Sequence, residues 1–250
     1  MAKVEYCPID LTGSPERSIR IFLNGVPVAV SQGSPHGLSE LAIGYLLAEG
    51  LIADREGLIS VREEASEDAV YVESVESVDA AYTPLHRVTS AGCAQSALLR
   101  GGRIPDPMPL ETASAFDPDD LLSQMEALCR TSPRRNTGEC VHGCGVGAAG
   151  SPDLVLVRED IGRHNAMDKL IGQAWLDRIG LSDKALFITG RISSEMALKA
   201  YRAGCPVLVS RKSATDDAAR RAASLGITLV SHCRDGSLRV LSRPDRIVAR

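Results

Sequence analysis

In the second half of this chain, short unbroken apolar runs alternate with helical patterns, and that alternation constrains the fold more than any other feature. The runs cover 154–157, 186–189, 207–209 and 227–230. Between them the periodicity predicts helices over roughly 164–179, 193–203 and 215–224. A strand hidden on both faces reads as a continuous apolar run, whereas a half-exposed strand alternates. The pattern therefore predicts a layered α/β unit with a largely buried sheet. Asp117-Pro118 opens a further helix, with Leu121, Leu122, Met125, Leu128 and Cys129 on one stripe. The glycine-rich stretch 137–150 reads as irregular.

The first half is mixed. Two β-rich runs, 19–23 and 26–30, flank Asn24-Gly25, a hairpin signal, and Pro27 marks an edge strand. A helix follows, with Ser34-Pro35 as N-cap and first turn, Leu38, Leu41, Ala42, Tyr45 and Leu46 on one face, and Gly50 as its stop. Residues 61–80 are acidic, with weak strand signals at Val70, Val72, Val75 and Val78. Prolines and glycines across 101–119 read as a linker. The expected division is thus 1–115, a smaller α+β unit, and 116–250, the α/β unit.

Apolar residues make up 44% of the chain, enough for a sizeable core, and 28 basic against 32 acidic residues leave a net charge of −4. That balance gives no electrostatic basis for binding duplex DNA. Aromatics at 4% leave no stacking platform for single strands. No nucleic-acid partner is expected. No apolar run reaches the roughly 18 residues of a membrane span, so no membrane association is expected either. The first ten residues lack an export-type apolar stretch. Seven cysteines sit at 7, 93, 129, 140, 144, 205 and 233. An odd number at wide spacing predicts reduced thiols in a cytoplasmic protein.

Five clusters carry chemistry. Glu159-Asp160-Ile161-Gly162-Arg163-His164-Asn165-Ala166-Met167-Asp168-Lys169 leaves a strand, turns at Gly162 and enters a helix. Side chains and unpaired backbone N–H groups converge at such a junction; a salt-bridged, solvated helix start has the same composition. Gly190-Arg191-Ile192-Ser193-Ser194-Glu195 repeats the arrangement. Arg191 suits a phosphate there, and simple serine capping is the plainer reading. Cys140, His142 and Cys144 offer three soft ligands at an uncommon zinc spacing, or small apolar residues in a loop. Cys93 lies among the small residues Ala91, Gly92, Ala94 and Ser96, open to attack as a nucleophile or buried as a structural thiol. Ser231-His232-Cys233-Arg234-Asp235-Gly236-Ser237 reads as a turn after the last strand, with Arg234 either on an anion or paired with Asp235.

Together these clusters resemble the formate dehydrogenase accessory sulfurtransferase family over nearly the whole chain. The 159–169 signature and Gly190-Arg191-Ile192-Ser193-Ser194-Glu195-Met196 carry the resemblance, with Asn24-Gly25, the 38–52 segment and Thr137-Gly138 before His142. It implies a cytidine-deaminase-like, three-layer second unit. It implies a sulfur carrier that moves sulfur from a cysteine desulfurase to a molybdenum bis-guanine-dinucleotide cofactor, bound transiently, before formate dehydrogenase receives it. The expected partners are the desulfurase and the formate dehydrogenase catalytic subunit, with the chain as a homodimer and no permanent metal. Cys93 would carry the persulfide. Arg163, His164, Asn165, Gly190, Arg191 and Ser193 would line one pocket for the cofactor, and His232, Cys233, Arg234, Asp235, Gly236 and Ser237 would add a loop. The family's usual Cys-x-x-Cys reads Cys93-Ala94-Gln95-Ser96 here. The rival from another class is therefore a binding chaperone without sulfur transfer. A zinc deaminase would need His-x-Glu and Pro-Cys-x-x-Cys, and the chain has neither.

Overall fold

The computed structural model describes residues 14–76, 88–89, 108–132 and 140–249. Strands β1 (Arg17–Leu23) and β2 (Val26–Gly33) form the expected hairpin. Asn24 and Gly25 both take positive φ, 50° and 78°, as a two-residue hairpin turn demands. Pro27 sits at a register shift, where a missing N–H costs no ladder bond. With β3 (Leu58–Glu64), β4 (Ala69–Ser74) and β5 (Val88–Thr89) they make one sheet, ordered β3-β4-β1-β2-β5.

Helix α1 (Leu38–Glu49) is apolar all round, and a helix of that kind must be covered on every side. One face packs on the first sheet through Leu41, Ile43 and Leu46. The other meets helix α3 (Arg163–Leu176). Two glycines allow this crossing: a Cβ on Gly44 would lie 1.8 Å from the Asp168 carbonyl oxygen, and one on Gly172 would lie 1.9 Å from the Glu40 carbonyl oxygen. Gly50 ends α1 as expected, in the left-handed region. Ser34 is not its N-cap; Gly37 takes that position.

The second sheet follows the order β11-β10-β9-β8-β6-β7. Its strands are β6 (His142–Ala148), β7 (Leu154–Asp160), β8 (Lys184–Ile188), β9 (Val207–Ser210), β10 (Thr228–Arg234) and β11 (Ser237–Ser242). Strands β8, β9 and β10 are parallel, and β6 runs antiparallel to both neighbours. One face carries α3, α4 (Ser194–Arg202) and α5 (Asp216–Ser224) over a core of Met167, Leu170, Ile188, Met196 and Leu208. The other carries α2 (Pro118–Thr131) over Phe187, Val209, Val230 and Cys233. Asp117 caps α2, its carboxylate accepting from Asp119 N at 2.8 Å, as Asp117-Pro118 predicts.

Strand β6 replaces the expected irregular stretch. Gly143, Gly145 and Gly147 all face α2: a Cβ on Gly145 would meet Leu128 at 3.3 Å, and one on Gly147 would fall 2.5 Å from Gln124. The alternate residues Cys144 and Val146 enter the opposite core. Segment 108–115, assigned from composition to the first unit, touches the second: Leu110 N donates to Leu225 O at 2.9 Å, and Arg246 donates to Leu110 O at 2.6 Å. Among the described residues no helix is long and apolar enough to cross a membrane.

Candidate functional site

The signature divides between two surroundings. Asp160, fully buried at the end of β7, accepts from Lys169 Nζ at 2.6 Å, Ser34 N at 3.0 Å, Gly162 N at 2.8 Å and Asn165 Nδ2 at 3.2 Å. Lys169 also donates to Ser34 O at 3.1 Å, and Ile161 N to Ser34 Oγ at 3.2 Å. Ser34 therefore spends its backbone and side chain on this seam, which is why it caps no helix. Asn165 donates to Gln32 O at 2.7 Å and accepts from Ser31 Oγ at 2.9 Å. Its amide is consumed joining the two units, which corrects its assignment to the ligand pocket. Asp168 lies one turn further on, buried against Lys199 at 2.5 and 2.7 Å. Burial raises its pKa to about 6, against the pull of the Lys199 ammonium. A cavity of about 320 Å³ beside α1 is lined by Glu40, Arg158 and Glu159. Arg158 pairs with Glu40 there at 3.1 Å, and the Ser132 hydroxyl donates to Glu159.

The other residues converge at the C-terminal ends of the parallel strands, where ligands bind in open α/β sheets. β6 starts there because it runs antiparallel, so His142 stands beside the end of β8. Gly190 fits between them: a Cβ would meet His142 Nδ1 at 3.1 Å and Arg163 Cβ at 3.2 Å. Gly143 N donates to Thr189 Oγ1 at 3.0 Å, pinning that strand end. His164 Nε2 lies 3.2 Å from Ser193 Oγ and 3.6 Å from Glu195 Oε2. Its Nδ1 is buried with no partner among the described residues. Burial, then the nearby Lys199, Arg163 and His142 charges, lower its pKa to about 3, so the ring is neutral at physiological pH. Arg163 is half-buried and Arg191 exposed.

The 231–237 cluster is not a turn after the last strand. His232, Cys233 and Arg234 belong to β10, and only Asp235 and Gly236, at φ 53° and 69°, make the turn into β11. Cys233 is fully buried and its thiol points at Leu121 O, 3.6 Å away; burial pushes its pKa up to about 12. The core under α2 thus removes this thiol from the pocket. Arg234 is half-buried and pairs loosely with Asp235 at 3.7 Å, while Asp235, Gly236 and Ser237 are exposed. His232 holds a positive φ of 52°, rare for a non-glycine residue.

Cys93 lies outside the described residues. The chain approaches it through β5, where Thr89 pairs with Ser31, the residue bonded to Asn165. Cys144 and Cys205 are fully buried, and burial raises both thiols. That removes Cys144 as an acceptor thiol. Among the described cysteines only Cys140 is exposed. No group of three metal-ligating side chains that could hold an ion occurs among the described residues. His142, Thr189 and Glu195 complete the cluster. The sequence held their motifs, but only the sheet order brings them together.

These features define an α/β protein whose strand ends bring together glycines, a neutral histidine and arginines. The model of the FdhD/NarQ family matches residues 14–248, and the chain belongs to that family. It is 33% identical over 258 residues to the sulfur carrier protein FdhD of Mycobacterium tuberculosis, covering 93% of this chain and 90% of that one. The Bacillus subtilis protein of the same name is 31% identical, at 93% and 88% coverage. The crystal structure of a formate dehydrogenase accessory protein from Desulfotalea psychrophila superposes with a TM-score of 0.76 at 27% identity, covering 93% of this chain and 90% of that one.

Proposed function

We propose that this chain is a sulfur carrier for formate dehydrogenase, and that its strand-end cluster holds a molybdenum bis-guanine-dinucleotide cofactor as the substrate to be sulfurated. The observation that carries the reading is the family match, with relatives of that name aligned along 93% of the chain. The cluster supports it chemically. Diphosphates favour helix starts, glycine-lined approaches and arginine forks, and Arg163, Gly190, Arg191, Ser193, His232 and Arg234 supply them. We read the second unit as cytidine-deaminase-like; one helix on one sheet face, three on the other and an antiparallel β6 within a parallel set support this.

In the proposed transfer the Cys93 thiolate attacks the terminal sulfur of the persulfide on a cysteine desulfurase. A new S–S bond forms at Cys93, the desulfurase S–S bond breaks, and the desulfurase thiolate leaves. The terminal sulfur then passes to the cofactor substrate: the Cys93 S–S bond breaks, a bond from the sulfur to the metal forms with an electron pair that the reduced metal of the substrate supplies, and the Cys93 thiolate is regenerated. A persulfide needs one sulfur nucleophile, which Cys93 supplies, and Ser96 cannot displace the bound sulfur as a second thiol would. We place the carrier in the cytoplasm, where free thiols persist, as a homodimer serving the formate dehydrogenase catalytic subunit. The test is mass spectrometry of intact protein after incubation with desulfurase and cysteine. Wild type should gain one sulfur and Cys93→Ala none. A wild type that gains none, yet retains cofactor, would instead be a binding chaperone.

A further inference from the structure

The loop after β9 belongs to none of the motifs that the sequence singled out, yet it is stitched to the loop after β8. Arg211 N donates to Ile188 O at 3.0 Å, Ser210 Oγ to Gly190 O at 2.8 Å and Ile192 N to Ser213 O at 3.1 Å. Thr215 N returns to Ile192 O at 3.1 Å, and Ile192 bridges Ala214. Lys212 O accepts from His232 N at 2.7 Å, a bond that the left-handed backbone of His232 makes possible. Arg191, Arg211 and Lys212 therefore stand on two joined loops, and β10 continues the row with His232 and Arg234.

On the two joined loops the cations lack carboxylate partners. Arg191, Arg211 and Lys212 have no carboxylate partner among the described residues, and Arg191 and Lys212 are exposed. Of the surrounding carboxylates, Asp217 pairs with Arg220 at 2.5 Å and Asp235 with Arg234, while Glu195 lies 3.6 Å from the neutral His164 ring and keeps its charge, with no ion pair to Arg191, Arg211 or Lys212 among the described residues. Asp216 alone, in the first turn of α5, faces solvent. Like charges on two bonded loops favour an anion that can meet both loops.

We infer that Arg211 and Lys212 complete, with Arg191, a cradle for the diphosphate of a guanine nucleotide, and that this row reads the diphosphate and not the base. The inference rests on the nucleotide-cofactor reading above. A diphosphate spans two phosphoryl groups, so it can meet cations on both loops, where a monophosphate reaches one. The arginines supply planar forks and Lys212 a point charge.

Calorimetric titration of the full chain with GDP and with GMP tests it, in wild type and in Arg211→Gln/Lys212→Gln. Wild type should prefer GDP by roughly tenfold or more, since one charge-assisted contact is worth about that factor. The double variant should lose the preference, its GDP affinity falling to the GMP value while GMP affinity stays unchanged. Lys212→Gln alone, at an exposed position, should show part of the same loss and guards against misfolding of the pair. A preference kept in the variants, equal weakening of both nucleotides, or a wild type binding both equally would overturn the inference and leave the nucleotide reading standing. A wild type that binds neither nucleotide removes that reading, and the inference with it.

Discussion

Two regions that meet along helix α3 make opposite use of charge. At the seam between the units, Asp160, Lys169, Asp168 and Lys199 are buried, and each is matched at hydrogen-bond distance. At the strand ends Arg191 and Lys212 are exposed and Arg211 half-buried, with no carboxylate partner among the described residues. Helical periodicity makes the division: residues 165, 168, 169 and 172 share the face against α1, whereas 163 and 164 sit at the free N-terminal end. Buried pairs are costly to break, whereas unpaired surface cations can be changed with little effect on stability. The seam should therefore answer to stability measurements and the strand ends to binding measurements.

The largest effect is expected at the seam. Lys169→Ala leaves the Asp160 carboxylate buried without its cation and should cost about 3–5 kcal/mol in denaturant unfolding. A loss below about 1 kcal/mol, the value of an exposed pair, would mean that the seam is wet. Gly172→Ala comes next. Its methyl group would overlap the Glu40 carbonyl oxygen, forcing α1 and α3 apart at roughly 1–3 kcal/mol.

The third prediction concerns pH. In the unfolded chain His164 takes up a proton near its ordinary pKa of 6.5, in the folded protein only near 3. Between those values the unfolded state binds more protons, so this residue makes stability fall as pH falls. Asp168, raised from 3.8 to about 6, acts in the opposite sense between its own two values. His164→Gln should therefore gain stability relative to wild type on acidification from about pH 7 to about pH 4. A constant difference between the two unfolding midpoints would contradict a buried neutral imidazole.

The smallest effect is expected at Cys140. It is exposed near the strand ends, and Cys140→Ala should keep most persulfide loading and dehydrogenase maturation, as Cys93→Ala should not. Loss of loading on Cys140→Ala would move the relay to that thiol.

How much of this was legible in the sequence follows from which forces act locally. The apolar runs located β8, β9 and the start of β10, because strands buried on both faces show no alternation. Asn24-Gly25, Asp117-Pro118, Gly50 and Asp235-Gly236 act within a few residues, so their structures matched. Strand β6 was hidden because its glycines are there to admit α2, a partner distant in sequence. Strand β3 was missed because Arg62, Glu63 and Glu64 resemble loop, and β11 because it is a short edge strand with one face exposed. Asn165 and Cys233 sit inside motifs that point to a ligand, yet each is spent on packing. Only the seam with β2 and the core under α2 decide that. Arg211 and Lys212 left no motif, only two cations directly after an apolar run, and their meaning depends on which loop lies beside theirs.

The central claim is that the motif residues divide between a seam and a ligand face. GDP affinity by calorimetry, measured beside the unfolding midpoint for Asn165→Ala and Arg191→Ala, tests it most directly. Asn165→Ala should lose roughly 1–3 kcal/mol of stability, the cost of stranding buried polar partners, and keep wild-type GDP affinity. Arg191→Ala should keep the wild-type midpoint and bind GDP about tenfold more weakly or worse. Asn165→Ala weakening GDP as strongly as Arg191→Ala, at an unchanged midpoint, would contradict the division.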